Sequence, residues 1–224
     1  MSNQKKQSFL GSAAILTASA LIVKLIGAVY KLPLNNILGG VGKTYFDTAY
    51  QIYNLLLTFS TAGLPIASSK LTRQAHAQGR ENAKRRIFRA SIWMFFLLGV
   101  LGTALMAFGA PQLAAFQENP MAAQAIRALA PAVFCVCLLA CMRGYTQGQG
   151  NMTPTAVSQV LEALCKLGIG LPLAWYLVDA GFGLELGAAG AICGVTVGTV
   201  LSMLFLTFYL ATHRNRTESL DVPT

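Results

Sequence analysis

The chain has 224 residues, 54% of them hydrophobic and only 11% charged, with 17 Lys plus Arg against 8 Asp plus Glu and a formal net charge of +9. Soluble domains carry about 25% charged residues, so this composition excludes a water-soluble domain, a disordered chain and a disulfide-stapled miniprotein. The class that remains is a polytopic membrane protein, and it is all-α: the apolar runs are continuous, whereas barrel strands alternate apolar and polar residues over about ten positions.

In chain order, residues 1–8 form a short N-terminus, and apolar stretches follow at 9–32, 45–69, 90–116, 121–147, 154–178 and 186–211, before a polar tail from 212 to 224. Each stretch holds the roughly 20 residues that a 30 Å hydrocarbon layer requires, which predicts six transmembrane helices. Lys5, Lys6, Lys70, Arg73, Arg80, Lys84, Arg85, Arg86, Arg89, Arg143, Arg214 and Arg216 fall on one side of that arrangement, and Lys31, Lys43 and Arg127 on the other. Basic residues stay cytoplasmic, so both termini are expected there, and an even number of crossings follows. The basic charge therefore reports topology; it is split among short loops without an aromatic platform, which argues against a nucleic-acid partner.

Several motifs dissolve on inspection. Lys5 and Lys6 before an apolar run, with Ala18, Ser19 and Ala20 inside it, imitate a signal peptide, but the run continues to Leu32 and reads as an uncleaved span. Gly39, Gly40, Val41, Gly42, Lys43 and Thr44 imitate a phosphate-binding loop; the required earlier glycine is Ile37, so a Gly-rich turn is the better reading. Cys135, Cys137, Cys141, Cys165 and Cys193 lie in apolar spans without metal-ligand spacing and read as small core hydrophobes. His76 and His213 sit in basic segments as solvated side chains, and the sequons at Asn151 and Asn215 face the cytoplasm. No metal, cofactor or catalytic constellation is expected, and hence no enzyme.

Ionisable groups within spans are the more informative feature, because at mid-bilayer each costs at least about 2.5 kcal/mol unless it faces protein or water. Asp47, Gln51, Asn54, Thr58 and Thr61 recur at steps of four and three, which places them on one face of the second span. The fifth span carries Thr155, Gln159, Glu162 and Lys166, and the first Thr17, Lys24 and Lys31. Two readings stand at this point: a shared hydrophilic cavity, or interhelical hydrogen bonding at about 0.6 to 2 kcal/mol per contact. Glu162 and Lys166 can neutralise each other at i, i+4, and Asp47 can serve Lys31 across helices. Gly190, Gly194 and Gly198 make a close-packing stripe on the sixth span. Gly63 with Pro65, and Gly168 and Gly170 with Pro172, interrupt the polar helices, as transporters do around a midplane site. The segment from Arg73 to Arg89 reads as a basic surface helix or simply as a topology signal.

The run from Ser19 through Lys24, Gly27, Tyr30, Lys31, Pro33, Leu34 and Asn35 to Gly39 resembles the stage V sporulation protein B family of polysaccharide exporters. So do STAGLPIASSKL from Ser60, IRALAPAVF from Ile126 and RGYTQGQGNMTPTAVSQVLE from Arg143. The resemblance runs from about Ser8 to His213 and implies one lobe of a MATE/MOP-type transporter related to the lipid II flippases. The activity it implies is movement of a lipid-linked oligosaccharide or peptidoglycan precursor across the plasma membrane, by alternating access between two six-helix lobes around a cationic cavity. Lys24 matches a basic first-span residue of the lipid II flippases, with Gly27 three positions on in both. Their next basic position is Tyr30 here, with Lys31 displaced by one, and a second-span Arg after Asn-Leu-Leu is Leu57.

The resemblance also implies a second lobe, so this chain resembles half a transporter that pairs with a second-half chain or with itself. On this reading Lys24, Lys31 and Lys166 meet the head group, Asp47, Gln51, Asn54, Gln159 and Glu162 line the cavity, and Arg143 meets phosphate at its cytoplasmic mouth. The rivals are a cation-coupled drug exporter lobe, in which Asp47 or Glu162 binds a proton or sodium ion, and a non-transporting scaffold or truncated gene product.

Overall fold

The computed structural model describes the backbone of residues 2–61, 64–79 and 81–218, and the side chains of 11, 14–58, 66–75, 77–79 and 82–212. The sequence readings made on Lys5, Lys6, Gly63, Pro65, His76, Arg80, His213, Arg214, Asn215 and Arg216 lie outside the described residues or side chains. The described elements are all helical: α1 (Ser2–Thr61), α2 (Leu64–Ala77), α3 (Glu81–Phe116), α4 (Ala123–Gly148), α5 (Thr153–Cys165), α6 (Leu171–Asp179) and α7 (Leu184–Glu218). A 3-10 turn (Pro120–Ala122) leads into α4, and a π-helical segment (Lys166–Gly170) joins α5 to α6.

Helix α1 is two helices. Gly39 interrupts it at φ 63°, ψ −171°, a conformation open essentially to glycine alone. In a straight helix Tyr30 and Phe46 would stand about 24 Å apart at 1.5 Å per residue. Their ring centroids are 6.2 Å apart, so the limbs before and after Gly39 fold back on one another. The Gly-rich turn expected from the sequence is this reversal. Consequently the apolar stretch Ala14–Thr58, 45 residues long, supplies two crossings. The stretches Asn82–Phe116, Pro120–Gly148, Thr153–Asp179 and Leu184–Thr212 supply one each, and the result is an all-α lobe with six crossings.

Helix α4 is the centre of the packing, with Ile126, Leu129, Val133, Leu139 and Cys141 fully buried. It lies close against α3, because a Cβ on Gly102 would stand 2.9 Å from Val133 Cγ1. The five cysteines are free and at least partly buried, as small core residues should be. Around the outside, Leu25, Leu32, Leu97, Phe108 and Phe208 are exposed, the surface that hydrocarbon tolerates and water would not.

The fifth crossing is a composite rod, α5 to α6. Pro172 has no N–H to donate one turn back, and the ladder widens to the π form just before it, the local adjustment that membrane helices use around proline. Helix α7 lies along this rod on the glycine stripe. A Cβ on Gly187 would fall 2.5 Å from Val178 Cγ2, on Gly190 2.6 Å from Leu177 Cδ1, and on Gly198 2.9 Å from the Glu162 carbonyl oxygen. Gly194 abuts the Gly170 backbone so closely that any side chain there would overlap it. The stripe read from Gly190, Gly194 and Gly198 is therefore a backbone-to-backbone seam.

One segment differs from the sequence expectation. The region from Arg73 to Arg89 is not one surface helix: Gly79, at φ 66°, ends α2 and turns the chain into α3, and Lys84 is 8% exposed. Helix α7 runs to Glu218, so the backbone of the first part of the segment read as a polar tail is helical.

Because Gly39 sits where only glycine is comfortable, Gly39→Ala should destabilise the lobe by about 1–3 kcal/mol, although a Cβ there meets no neighbouring atom. A lower thermal midpoint in detergent checks this; an unchanged midpoint would show that the reversal does not depend on that backbone angle.

Candidate functional site

The second limb of α1 carries two parallel rows. Phe46, Tyr50 and Tyr53 follow one another at steps of four and three, and Asp47, Gln51 and Asn54 do the same one residue later, about 100° around the helix. The aromatic row turns inward: Phe46 and Tyr53 are buried, and Tyr50 stacks on Phe46 at 5.1 Å between ring centroids. The polar row is therefore carried outward, and Gln51, Asn54 and Thr58 are exposed.

Lys166 enters this aromatic row from the first residue of the π segment. Its Nζ donates to the Tyr50 hydroxyl at 3.1 Å and stands 4.5 Å from the Tyr50 ring centroid, 4.8 Å from Tyr30 and 5.7 Å from Phe46. Three aromatic faces within about 6 Å stabilise a cation by attraction to their quadrupoles, most strongly when the site is desolvated. The box is fixed in turn, for Tyr30 is 1% exposed and its hydroxyl donates to the Ala191 carbonyl of α7 at 3.4 Å.

One turn earlier on α5, Glu162 accepts from Arg143 Nη2 at 3.1 Å, and Arg143 Nε donates to Ser158 Oγ at 2.9 Å. The two charged side chains are 17% and 26% exposed. The i, i+4 neutralisation of Lys166 by Glu162 is thus replaced: the acid takes a guanidinium from α4, whose planar fork fits a carboxylate better than an ammonium does, and Lys166 takes the rings. Asp47 likewise has a different partner from the Lys31 that the sequence allowed. It sits 4.0 Å from Lys43, four residues back on its own helix.

These groups surround a cleft of about 420 Å³ between the first limb of α1 and the α5 rod, lined by Lys24, Tyr30, Tyr50, Arg143, Gln159, Glu162 and Lys166 among others. Of the site residues expected from the sequence, Lys24, Arg143, Gln159, Glu162 and Lys166 meet here. Lys31, Asp47, Gln51 and Asn54 do not line it; Lys31, Gln51 and Asn54 are exposed. The physical reason is the aromatic row, whose larger apolar area wins the buried face and turns its polar neighbours away. Lys24 is exposed to the cleft and has no ion-pair or hydrogen-bond partner among the described residues. Sequence reasoning passed over Phe46, Tyr50 and Ser158 and met Tyr30 only as a motif position; the steps of four and three in Phe46, Tyr50 and Tyr53 were the available signal. Among the described residues no group of His, Cys, Asp and Glu could hold a metal ion.

Residues 9–221 match the family described as polysaccharide biosynthesis protein, and the chain belongs to that family. It is similar to stage V sporulation protein B of Bacillus subtilis (strain 168), with 31% identity over 202 residues that cover 90% of this chain and 39% of that protein. It is also similar to lipid II flippase MurJ of the same organism, with 27% identity over 206 residues covering 87% and 38%. Among solved structures, a MATE in the straight conformation superposes with a TM-score of 0.77 at 17% identity, covering 93% of this chain and 46% of that one. The fold is thus one lobe of MATE type in a multi-pass membrane protein, and the chain spans about two-fifths of the length of these curated relatives.

The Arg143–Glu162 pair gives a direct test of the cleft's electrostatics. Arg143→Met strands a partly buried carboxylate and should lower stability by about 2 kcal/mol, whereas Arg143→Met combined with Glu162→Leu should recover most of it. Thermal unfolding of the unaltered chain and the two variants measures this, and a double variant as weak as the single one would mean that the pair is not what holds α4 to α5.

Proposed function

From that membership we propose that this chain is the amino-terminal lobe of a membrane flippase or exporter for a lipid-linked oligosaccharide or peptidoglycan precursor, a transport component and not an enzyme. The observation that carries the proposal is the charge of the cleft: among the described lining, Lys24, Arg143 and Lys166 converge there against one carboxylate, that of Glu162. Lipid-linked glycans carry a pyrophosphate between lipid and sugar. A site with an excess of cations, walled by protein and hydrocarbon, attracts such a group far more strongly than the same charges would in water. Arg143 and Lys166 are held by Glu162, Ser158 and the aromatic box, so they contribute fixed field, and Lys24 is the cation with freedom to reach the phosphate.

The outward polar row supports a second lobe. Gln51, Asn54 and Thr58 are exposed on a helix that crosses the membrane, where hydrocarbon is a poor neighbour for amides. A second unit, continuous with this chain or separate from it, would place a water-filled space or its own polar groups against that row. The cation-coupled exporter is less well supported, since Glu162 is engaged by Arg143 and Asp47 lies beside Lys43. For orientation, twelve basic residues against three support cytoplasmic termini in the plasma membrane.

Native-level purification in mild detergent, with particle mass and composition as readout, should find a second lobe of six to eight spans, in the same polypeptide or in a partner; a monodisperse particle with the mass of these six spans alone would sink the two-lobe reading. In that complex, Lys24→Ala should weaken binding of a polyprenyl pyrophosphate on the order of tenfold, and Lys24→Arg should retain it. Loss-free binding by Lys24→Ala would favour a scaffold. Orientation is separable: with the native cysteines replaced, Gln117→Cys should react with an impermeant maleimide on intact cells and Gln78→Cys only after permeabilisation, and the reverse pattern would invert the topology.

A further inference from the structure

A second cleft, of about 530 Å³, lies between α2 and α4 on the other side of Arg143. It is a groove between two helix faces: Ile66, Lys70 and Arg73 follow at steps of four and three on α2, and Val136, Ala140 and Arg143 at the same steps on α4. The helices touch at one end of it, where a Cβ on Gly148 would stand 2.7 Å from the Ser69 carbonyl oxygen. Both faces change character in the same direction. Ile66, Val136 and Ala140 make one end apolar, and Lys70, Arg73 and Arg143 make the other cationic, with no acidic residue among the described lining.

We propose that this α2–α4 groove binds the phosphate head group of an anionic membrane lipid, from the leaflet on the side of α2, with its acyl chain along Ile66, Val136 and Ala140. The proposal goes beyond the transport reading and does not rest on it. Three observations carry it. The polarity gradient runs along the groove as it runs along a phospholipid. Two exposed cations, Lys70 and Arg73, flank a third that is built in, Arg143. That guanidinium has five N–H donors, of which the bonds to Ser158 and Glu162 use two, so it retains donors for a phosphate without surrendering its partners. A free phosphate would need only the cationic end and would leave the apolar end unfilled, and a neutral lipid would bring no net negative charge to an end whose described lining carries three cations and no acid.

The test uses the whole purified chain in neutral detergent micelles, titrated with fluorescently tailed phosphatidylglycerol, with phosphatidylcholine and inorganic phosphate as comparison probes. Lys70→Ala combined with Arg73→Ala should weaken phosphatidylglycerol binding on the order of tenfold or more, with the chain still folded and monodisperse, since both side chains are exposed. Arg86→Ala combined with Arg89→Ala removes equal charge from exposed positions outside the groove and should leave the affinity within about twofold. Equal weakening by both pairs would overturn the proposal in favour of diffuse surface charge, and no weakening by the first pair would overturn it outright. Displacement of phosphatidylglycerol by millimolar inorganic phosphate, or equal affinity for phosphatidylcholine, would overturn the lipid head group as the occupant.

Discussion

The lobe depends on how closely two backbones can approach within a membrane. Apolar side chains gain nothing there by leaving lipid for protein, so helices associate through van der Waals contact and backbone proximity. Gly170 and Gly194 remove the atoms that would hold α7 away from the α5–α6 rod, and Gly198 does the same beside Glu162. That seam fixes the π segment against α7, and the π segment fixes where Lys166 leaves the helix. The carbonyl of Ala191, on the same stretch of α7, then receives the Tyr30 hydroxyl, so one helix positions both the cation and a wall of its box.

From this follows the division of labour among the cations. An ammonium held by rings and one hydroxyl, and a guanidinium held by a carboxylate and a serine, are both prepaid in orientation and need no rearrangement to present positive potential. The solvent-facing Lys24 is of a different kind, free to follow a ligand. For the anionic substrate proposed above, a cleft made of fixed field and one mobile cation would allow holding and later release, since tight complementarity at every contact would oppose release.

The sequence was most legible where lipid sets the rule. Continuous apolar runs gave an all-α membrane lobe, and steps of four in Gly190, Gly194 and Gly198 located a packing seam that the structure contains. It was least legible where neighbouring rows competed for one buried face. Asp47, Gln51 and Asn54 looked like a cavity wall because intramembrane polarity is rare, but Phe46, Tyr50 and Tyr53, one residue out of phase, have the larger area to bury. Pairings across helices were similarly hidden. Nothing in the spacing of Glu162 and Lys166 tells that Arg143, nineteen residues before Glu162, will be the partner that Glu162 takes. The reversal at Gly39 was readable as a turn, though its backbone angle, the reason glycine is needed, was not.

The aromatic box also has a mechanical meaning. Tyr30 belongs to the limb of α1 before Gly39, Phe46 and Tyr50 to the limb after it, and Lys166 to the fifth crossing. One side chain therefore pins three membrane-spanning segments at a single point, like a bolt through a truss. Displacement of the α5 rod is transmitted to both limbs at once instead of being absorbed as independent sliding, and the three segments behave as one stiff strut. Whatever hinge the lobe turns on must lie away from that bolt.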